Sequence, residues 1–236
     1  MEPLAHEGLG RLLELHGRRT PLALGAEAGA KLLSEKALGD GGALKLGRHK
    51  LALPPQPLGR DTAQPPFLTL SDDVAVLDGA ASHDPRQLLA ALSAAREEAG
   101  WRRLLYAPAV EPAEMPLLAC LGVDLFDSLT AELRGAAGYR LEQGDWIPDA
   151  GATTAGNRKA LAGWLARIRS ALEQGRLREL VERTALHNPR VAQLLHHSRE
   201  LLATRGARRA VEIRAGALSL GHPAVTEWRH SLERFT

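Results

Sequence analysis

The residue best placed for chemistry in this sequence is a carboxylate at the end of an apolar strand. In Val123-Asp124-Leu125-Phe126-Asp127-Ser128 an apolar run closes on Asp127. An ionised carboxylate held at a strand end, in a water-poor site, can attack an electrophilic carbon directly. In parallel barrels the C-terminal strand ends carry the active site. A strand-end Asp can also be structural, accepting from the first N–H groups of the following helix. Both roles fit Asp127, whereas Asp124 reads as structural. Other reactive residue types offer less. His187, His196 and His197 share one helical region without carboxylates at ligand spacing and read as surface groups. Asp84, beside His83, reads as a helix N-cap. Gly39 to Gly42 lacks the Lys-Ser/Thr of a phosphate loop. Cys120 is the only cysteine, which rules out an internal disulfide and a multi-cysteine zinc site. No metal or cofactor is expected.

The elements that position Asp127 can be read on either side of it. Arg103-Leu104-Leu105-Tyr106-Ala107-Pro108 is an apolar strand stopped by proline. Glu111 to Pro116 reads as a turn, and Leu117 to Gly122 as a short apolar helix with an easy left-handed cap at the glycine. The order strand, helix, strand predicts a βαβ unit ending on Asp127.

This stretch resembles the tRNA-guanine transglycosylase family, and within it the N-terminal transglycosylase-like domain of archaeosine synthases. Leu104 to Pro108 resembles that family's strand ending in a Pro-Gly turn, Leu117 to Gly122 its short helix, and Val123 to Ser128 its nucleophile segment. Fainter likenesses lie in Gly8-Leu9-Gly10-Arg11 with Arg19-Thr20-Pro21, in Asn157 to Glu182, and in Gly221 to Val225 with Arg229. The resemblance implies a TIM-barrel-like fold, tRNA as partner, and exchange of a tRNA guanine for a 7-deazaguanine with Asp127 as nucleophile. Three parts of the family's pattern are absent. Neither the Asp-Ser-Gly segment that recognises the base nor the Gly-Gly-Leu-x-Val-Gly-Glu loop that holds it is found, Ser71-Asp72-Asp73 being only a loose echo. Trp146 to Gly156 carries no zinc cysteines. A degenerate, reduced barrel that has lost its zinc site is therefore expected.

Along the chain, Gly8 to Leu24 predicts a hairpin turning at Gly17, and Ala26 to Leu38 a short helix. Ala43 to Leu53 predicts a hairpin or edge strand. Pro54 to Pro66 is a proline-rich connection, setting off a possible β-rich N-terminal piece, residues 1–54. Phe67 to Leu70 and Val74 to Leu77 read as strands. Asp84-Pro85 opens a helix that ends at Gly100. Gly138 to Ile147 reads as a hairpin across Gln143-Gly144, and Asp149 to Gly156 as a loop. From Asn157 the apolar spacing turns helical, with breaks at Gly175 and Asn188-Pro189. Val211 to Ile213 predicts a strand and Ala224 to Phe235 a last helix. This divides the chain into a transglycosylase-like α/β domain, residues 1–150, and a mostly helical section, residues 151–236.

Charge sharpens that division. The net charge is +2, but residues 1–150 hold 15 basic and 21 acidic side chains, whereas 151–236 hold 15 and 7. A basic C-terminal section points to an anionic partner, nucleic acid first. Arg158, Lys159, Arg167, Arg176, Arg178, Arg208 and Arg209 are the candidate phosphate contacts. Aromatic residues make up only 4%, so contact through phosphates and shape fits better than base stacking. Met1 to Gly10 has no apolar signal core and no run reaches membrane-spanning length, so a cytoplasmic location is expected. Two readings follow. One is a non-catalytic tRNA-binding subunit or domain, acting beside a partner subunit or as a homo-oligomer. The other is an active transglycosylase whose base pocket a partner chain completes.

Overall fold

The computed structural model describes residues 4–7, 9–15, 17–33, 43–46, 49–52, 68–70, 74–77, 84–100 and 103–198. In chain order its first strands are β1 (Ala5–Glu7), β2 (Gly10–Leu12), β3 (Glu14–Leu15), β4 (Arg18–Arg19) and β5 (Leu22–Leu24), followed by helix α1 (Ala26–Leu33). Then come β6 (Ala43–Leu46), β7 (His49–Ala52), β8 (Leu68–Leu70), β9 (Val74–Leu77), α2 (Pro85–Ala99) and β10 (Leu104–Tyr106). A 3-10 turn (Pro112–Glu114) leads into α3 (Met115–Cys120), β11 (Leu125–Asp127) and α4 (Leu129–Ala136). The hairpin β12 (Tyr139–Glu142) and β13 (Asp145–Pro148) precedes α5 (Thr154–Glu173) and α6 (Leu177–His187), and residues 189–198 are helical.

The central sheet has the order β5-β11-β10-β9-β8. Strands β5, β11, β10 and β9 run parallel, and β8 is antiparallel to β9. The fold is therefore α/β with a mainly parallel sheet. The expected βαβ unit is present as β10–α3–β11, and a second, β9–α2–β10, lies beside it.

Strand period two splits the core. Leu22, Leu24, Val74, Val76, Leu104, Tyr106 and Leu125 project to one face, where Leu13 and Ala28 pack on them. Ala75, Leu77, Leu105 and Phe126 project to the other, where helices cover them. Leu161, Trp164, Leu165 and Ile168 of α5, with Leu177 and Val181 of α6, join this second core. The α6 N-terminus is held from far away in sequence, since Glu7 of β1 accepts from the N–H groups of Leu177 (2.6 Å) and Arg178 (3.0 Å).

Local signals explain most element ends. Asp84 accepts from Arg86 N and Gln87 N, Pro85 occupies the first turn, and Gly100 ends α2 at φ 62°. The β12–β13 hairpin turns through Gln143 and Gly144, both at positive φ (51° and 98°), as a tight two-residue turn requires. A Cβ at Gly144 would come within 2.9 Å of the Trp164 ring, so glycine also lets the hairpin lie against α5.

Three sequence expectations change. Instead of one hairpin over Gly8 to Leu24 there are two, β1–β2 and β3–β4, and Leu22–Leu24 leaves them to form a parallel edge strand beside β11. Its leucines reach the core, which a surface hairpin would not offer them. Helix α5 starts at Thr154, ahead of Asn157, because the Thr153 side chain accepts from Gly156 N. Strand β10 ends at Tyr106, two residues before Pro108, and Ala109 takes a positive φ of 54°. The expected elements at Val211 to Ile213 and Ala224 to Phe235, and the connection Pro54 to Pro66, lie outside the described residues. No helix among the described residues is long and apolar enough to cross a membrane.

Candidate functional site

Asp127 is the last residue of β11, at the C-terminal end of a parallel strand, as expected. It lies on the Tyr106 face of the sheet, and only 3% of it is exposed. Its Oδ2 accepts from the Tyr106 hydroxyl (2.8 Å) and from Ala109 N (2.8 Å), and its Oδ1 accepts from Leu129 N (2.9 Å). Ala109 makes this contact with a positive φ of 54°. Helix α1 closes the remaining side: a Cβ at Gly29 would sit 2.7 Å from Oδ2. Burial pushes the Asp127 carboxyl up from its ordinary value, and the three hydrogen bonds pull it back. The same burial, with the charge of Asp127, pushes the Tyr106 phenol far up, so the phenol remains a proton donor. Chemically this is a satisfied carboxylate that joins the ends of two adjacent strands to the start of α4.

Asp124, at the other end of the segment, takes the structural part predicted for it. Arg11 grips it through Nε to Oδ1 (2.8 Å) and Nη2 to Oδ2 (2.8 Å), Arg96 approaches Oδ2 at 3.2 Å, and Leu105 N donates to it at 2.9 Å. Arg96 also donates to the carbonyl of Gly122. Arg11, which stands in the Gly8-Leu9-Gly10-Arg11 likeness, and Arg96, which the sequence did not single out, are both buried cations.

The basic candidates divide among three places. Arg158 of α5 stands at the rim of a cleft of about 600 Å³ along β5, with Glu132 3.8 Å away. Lys159 is exposed on the same helix. Arg167 and Arg176 line a smaller hollow of about 190 Å³ between α5 and α6, together with Arg183. The Arg167 guanidinium lies 5.8 Å from the Trp164 ring centre, and Arg176 pairs with Glu179 at 2.9 Å. Arg178 pairs with Glu182 at 2.8 Å. Arg208 and Arg209 lie outside the described residues. The large cleft adds Arg18, Arg19 and Arg169, which sequence reasoning missed because the first two come from the N-terminal hairpin and the third from α5. Among the described residues no group of three His, Cys, Asp or Glu side chains is placed to hold a metal ion.

The chain is an α/β protein with a mainly parallel sheet, a buried carboxylate at one strand end and arginines on the helices beside it. No protein-family model matches the chain. Over 98 residues it is 35% identical to the archaeosine synthase of Methanocaldococcus jannaschii, an alignment covering 40% of this chain and 17% of that protein. The match is partial and modest, and it supports a related family. The aligned stretch spans less than a fifth of the archaeosine synthase.

Proposed function

We propose that the chain is a transglycosylase-like, tRNA-binding unit of an archaeosine-type tRNA modification system, without base exchange of its own. The 98-residue similarity to archaeosine synthase carries this reading. Residues 1–150 supply the sheet and residues 151–236 the basic section that meets the phosphates. Two features of the site support the binding role over a catalytic one. All three donors around Asp127 already use its oxygens, and Gly29 of α1 packs against them. Arg158, Lys159, Arg167 and Arg176 meanwhile stand on accessible helix faces. Such a unit would present tRNA to a partner subunit, or to a second copy, that does the chemistry.

The test is a titration of labelled tRNA transcript with the purified full chain, by fluorescence anisotropy, at rising salt. Affinity that falls steeply with salt is expected, since each neutralised phosphate releases counterions. Absence of tRNA binding at low salt, alone or with a partner chain, removes the proposal.

One observation favours a second reading. Asp127 sits at a parallel strand's C-terminal end, where a transglycosylase nucleophile would belong. For it to attack a ribose carbon, α1 would have to withdraw from the carboxylate and a partner would have to complete the base pocket.

A further inference from the structure

The cleft along edge strand β5 has the composition of a ligand site. It runs between the β3–β4 hairpin and α5, with Arg18, Arg19 and Arg169 towards the start of β5 and Arg158 beside Ser128 towards its end. Its floor is apolar, built from buried side chains including Leu161 and Leu165. None of the described residues lining it is acidic. Three carboxylates stand near it: Glu173 pairs with Arg19 at 2.6 Å, Glu132 approaches Arg158 at 3.8 Å, and Glu27 lies against Gly25. Arg169 donates to the carbonyl of Pro21 (2.7 Å), which pins its guanidinium over the strand. The Arg18 side chain makes no hydrogen bond or ion pair with the described residues, while its backbone pairs with Leu15.

We propose that this cleft binds a nucleotide, its phosphate held by Arg18 and Arg169 and its neutral part laid on the apolar floor. A guanidinium pair is suited to phosphate because it offers several directed N–H donors in a fixed fork. A volume of about 600 Å³ lies within the range of small-ligand pockets. Arg18 and Arg169 line the cleft together, their like charges repel, and a bound dianion relieves that repulsion. Consistent with this crowding, burial and then the charge of Arg18 hold the Arg169 guanidinium below its ordinary value, against the opposing pull of Glu173. The ligand can be a free nucleotide or one nucleotide of an RNA strand, because the recognising chemistry is the same. The site shares Arg158 with the tRNA reading but does not depend on it.

The experiment is calorimetric titration of the full chain at low salt with guanosine monophosphate, guanosine, inorganic phosphate and a single-stranded RNA trinucleotide. It is repeated with Arg18→Glu and with Arg86→Glu, an equal charge change on α2. Circular dichroism checks that the variants fold, which the exposed position of the Arg18 side chain makes secure. At least one phosphate-bearing nucleotide probe should bind, guanosine should not, and Arg18→Glu should weaken binding about tenfold or more while Arg86→Glu leaves it within about twofold. Binding of the monophosphate identifies a free-nucleotide site; binding of the trinucleotide alone identifies a site for RNA. The proposal is overturned if neither nucleotide probe binds, if the two variants behave alike, or if inorganic phosphate binds as tightly as the nucleotides. Loss of tRNA affinity with retained, Arg18-dependent nucleotide binding would end the tRNA reading and leave this site in place.

Discussion

The hydroxyl of Tyr106 donates to Oδ2 of Asp127 across 2.8 Å, joining the last residues of two adjacent parallel strands. Both groups are buried, and Ala109 N and Leu129 N complete the carboxylate's shell. Removing the phenol oxygen by Tyr106→Phe leaves Oδ2 with one donor where it had two. Such a lost hydrogen bond to a buried charged group costs about 1.5–3 kcal/mol, read as a lower urea midpoint. The loss should be larger at pH 8 than at pH 4, because the hydrogen bond is stronger to the ionised carboxylate. An unchanged midpoint would mean that the pair holds nothing together.

Asp124 and its arginines should matter more than any exposed pair. Asp124→Asn would leave Arg11 and Arg96 buried without their counter-charge, at a cost of about 3–5 kcal/mol. Arg19→Gln, which breaks an exposed pair with Glu173, should cost less than about 1 kcal/mol. Parallel urea melts of the two variants check the contrast, and equal losses would refute it.

Glu114 gives stability a pH dependence of known sign. It is buried at the start of α3, bonded through Oε1 to Arg190, and its Oε2 has no hydrogen-bond partner among the described residues. Burial raises its carboxyl above the ordinary 4.5, against the pull of Arg190, and Glu111 adds to the rise. The folded state therefore holds this proton more tightly than the unfolded chain does. Glu114's contribution is fully present below the ordinary value and is lost as pH rises through the raised one. Asp127 acts in the same direction. Glu114→Gln should consequently flatten the fall in stability between pH 4 and pH 7, measured as urea midpoint against pH. A slope identical to that of the unaltered chain would contradict the assignment.

The arginines between α5 and α6 should set tRNA affinity without setting stability. Arg167 and Arg176 line one hollow, and their hydrogen bonds and ion pairs are exposed. The double variant Arg167→Glu with Arg176→Glu should weaken tRNA binding by about tenfold or more and shallow its salt slope by about 2. Its melting temperature should move little. Unchanged affinity would place the tRNA elsewhere.

Local signals made much of this legible. Pro108, the Leu117 to Gly122 run and the apolar Val123 to Phe126 segment fix strand, helix and strand with nearest-neighbour chemistry, and so place Asp127 at a strand end. Asp84-Pro85 and Gln143-Gly144 work in the same way. What could not be read was set by distance along the chain. Tyr106 and Gly29 reach Asp127 only once the sheet and α1 are assembled, and Arg11 reaches Asp124 across 113 residues. Arg18, Arg19 and Arg169 look like ordinary surface arginines until α5 packs along β5. Thr153 shows how one cap residue moved a boundary that apolar spacing had placed at Asn157.

Incubating the purified protein with tRNA and radiolabelled guanine tests whether this chain binds tRNA without exchanging its base. The Asp127→Asn variant is run alongside, under conditions where tRNA is bound. No label should enter tRNA above the protein-free control, and both proteins should bind tRNA with equal affinity. Label incorporated by the unaltered chain and abolished by Asp127→Asn would contradict this and make Asp127 the nucleophile.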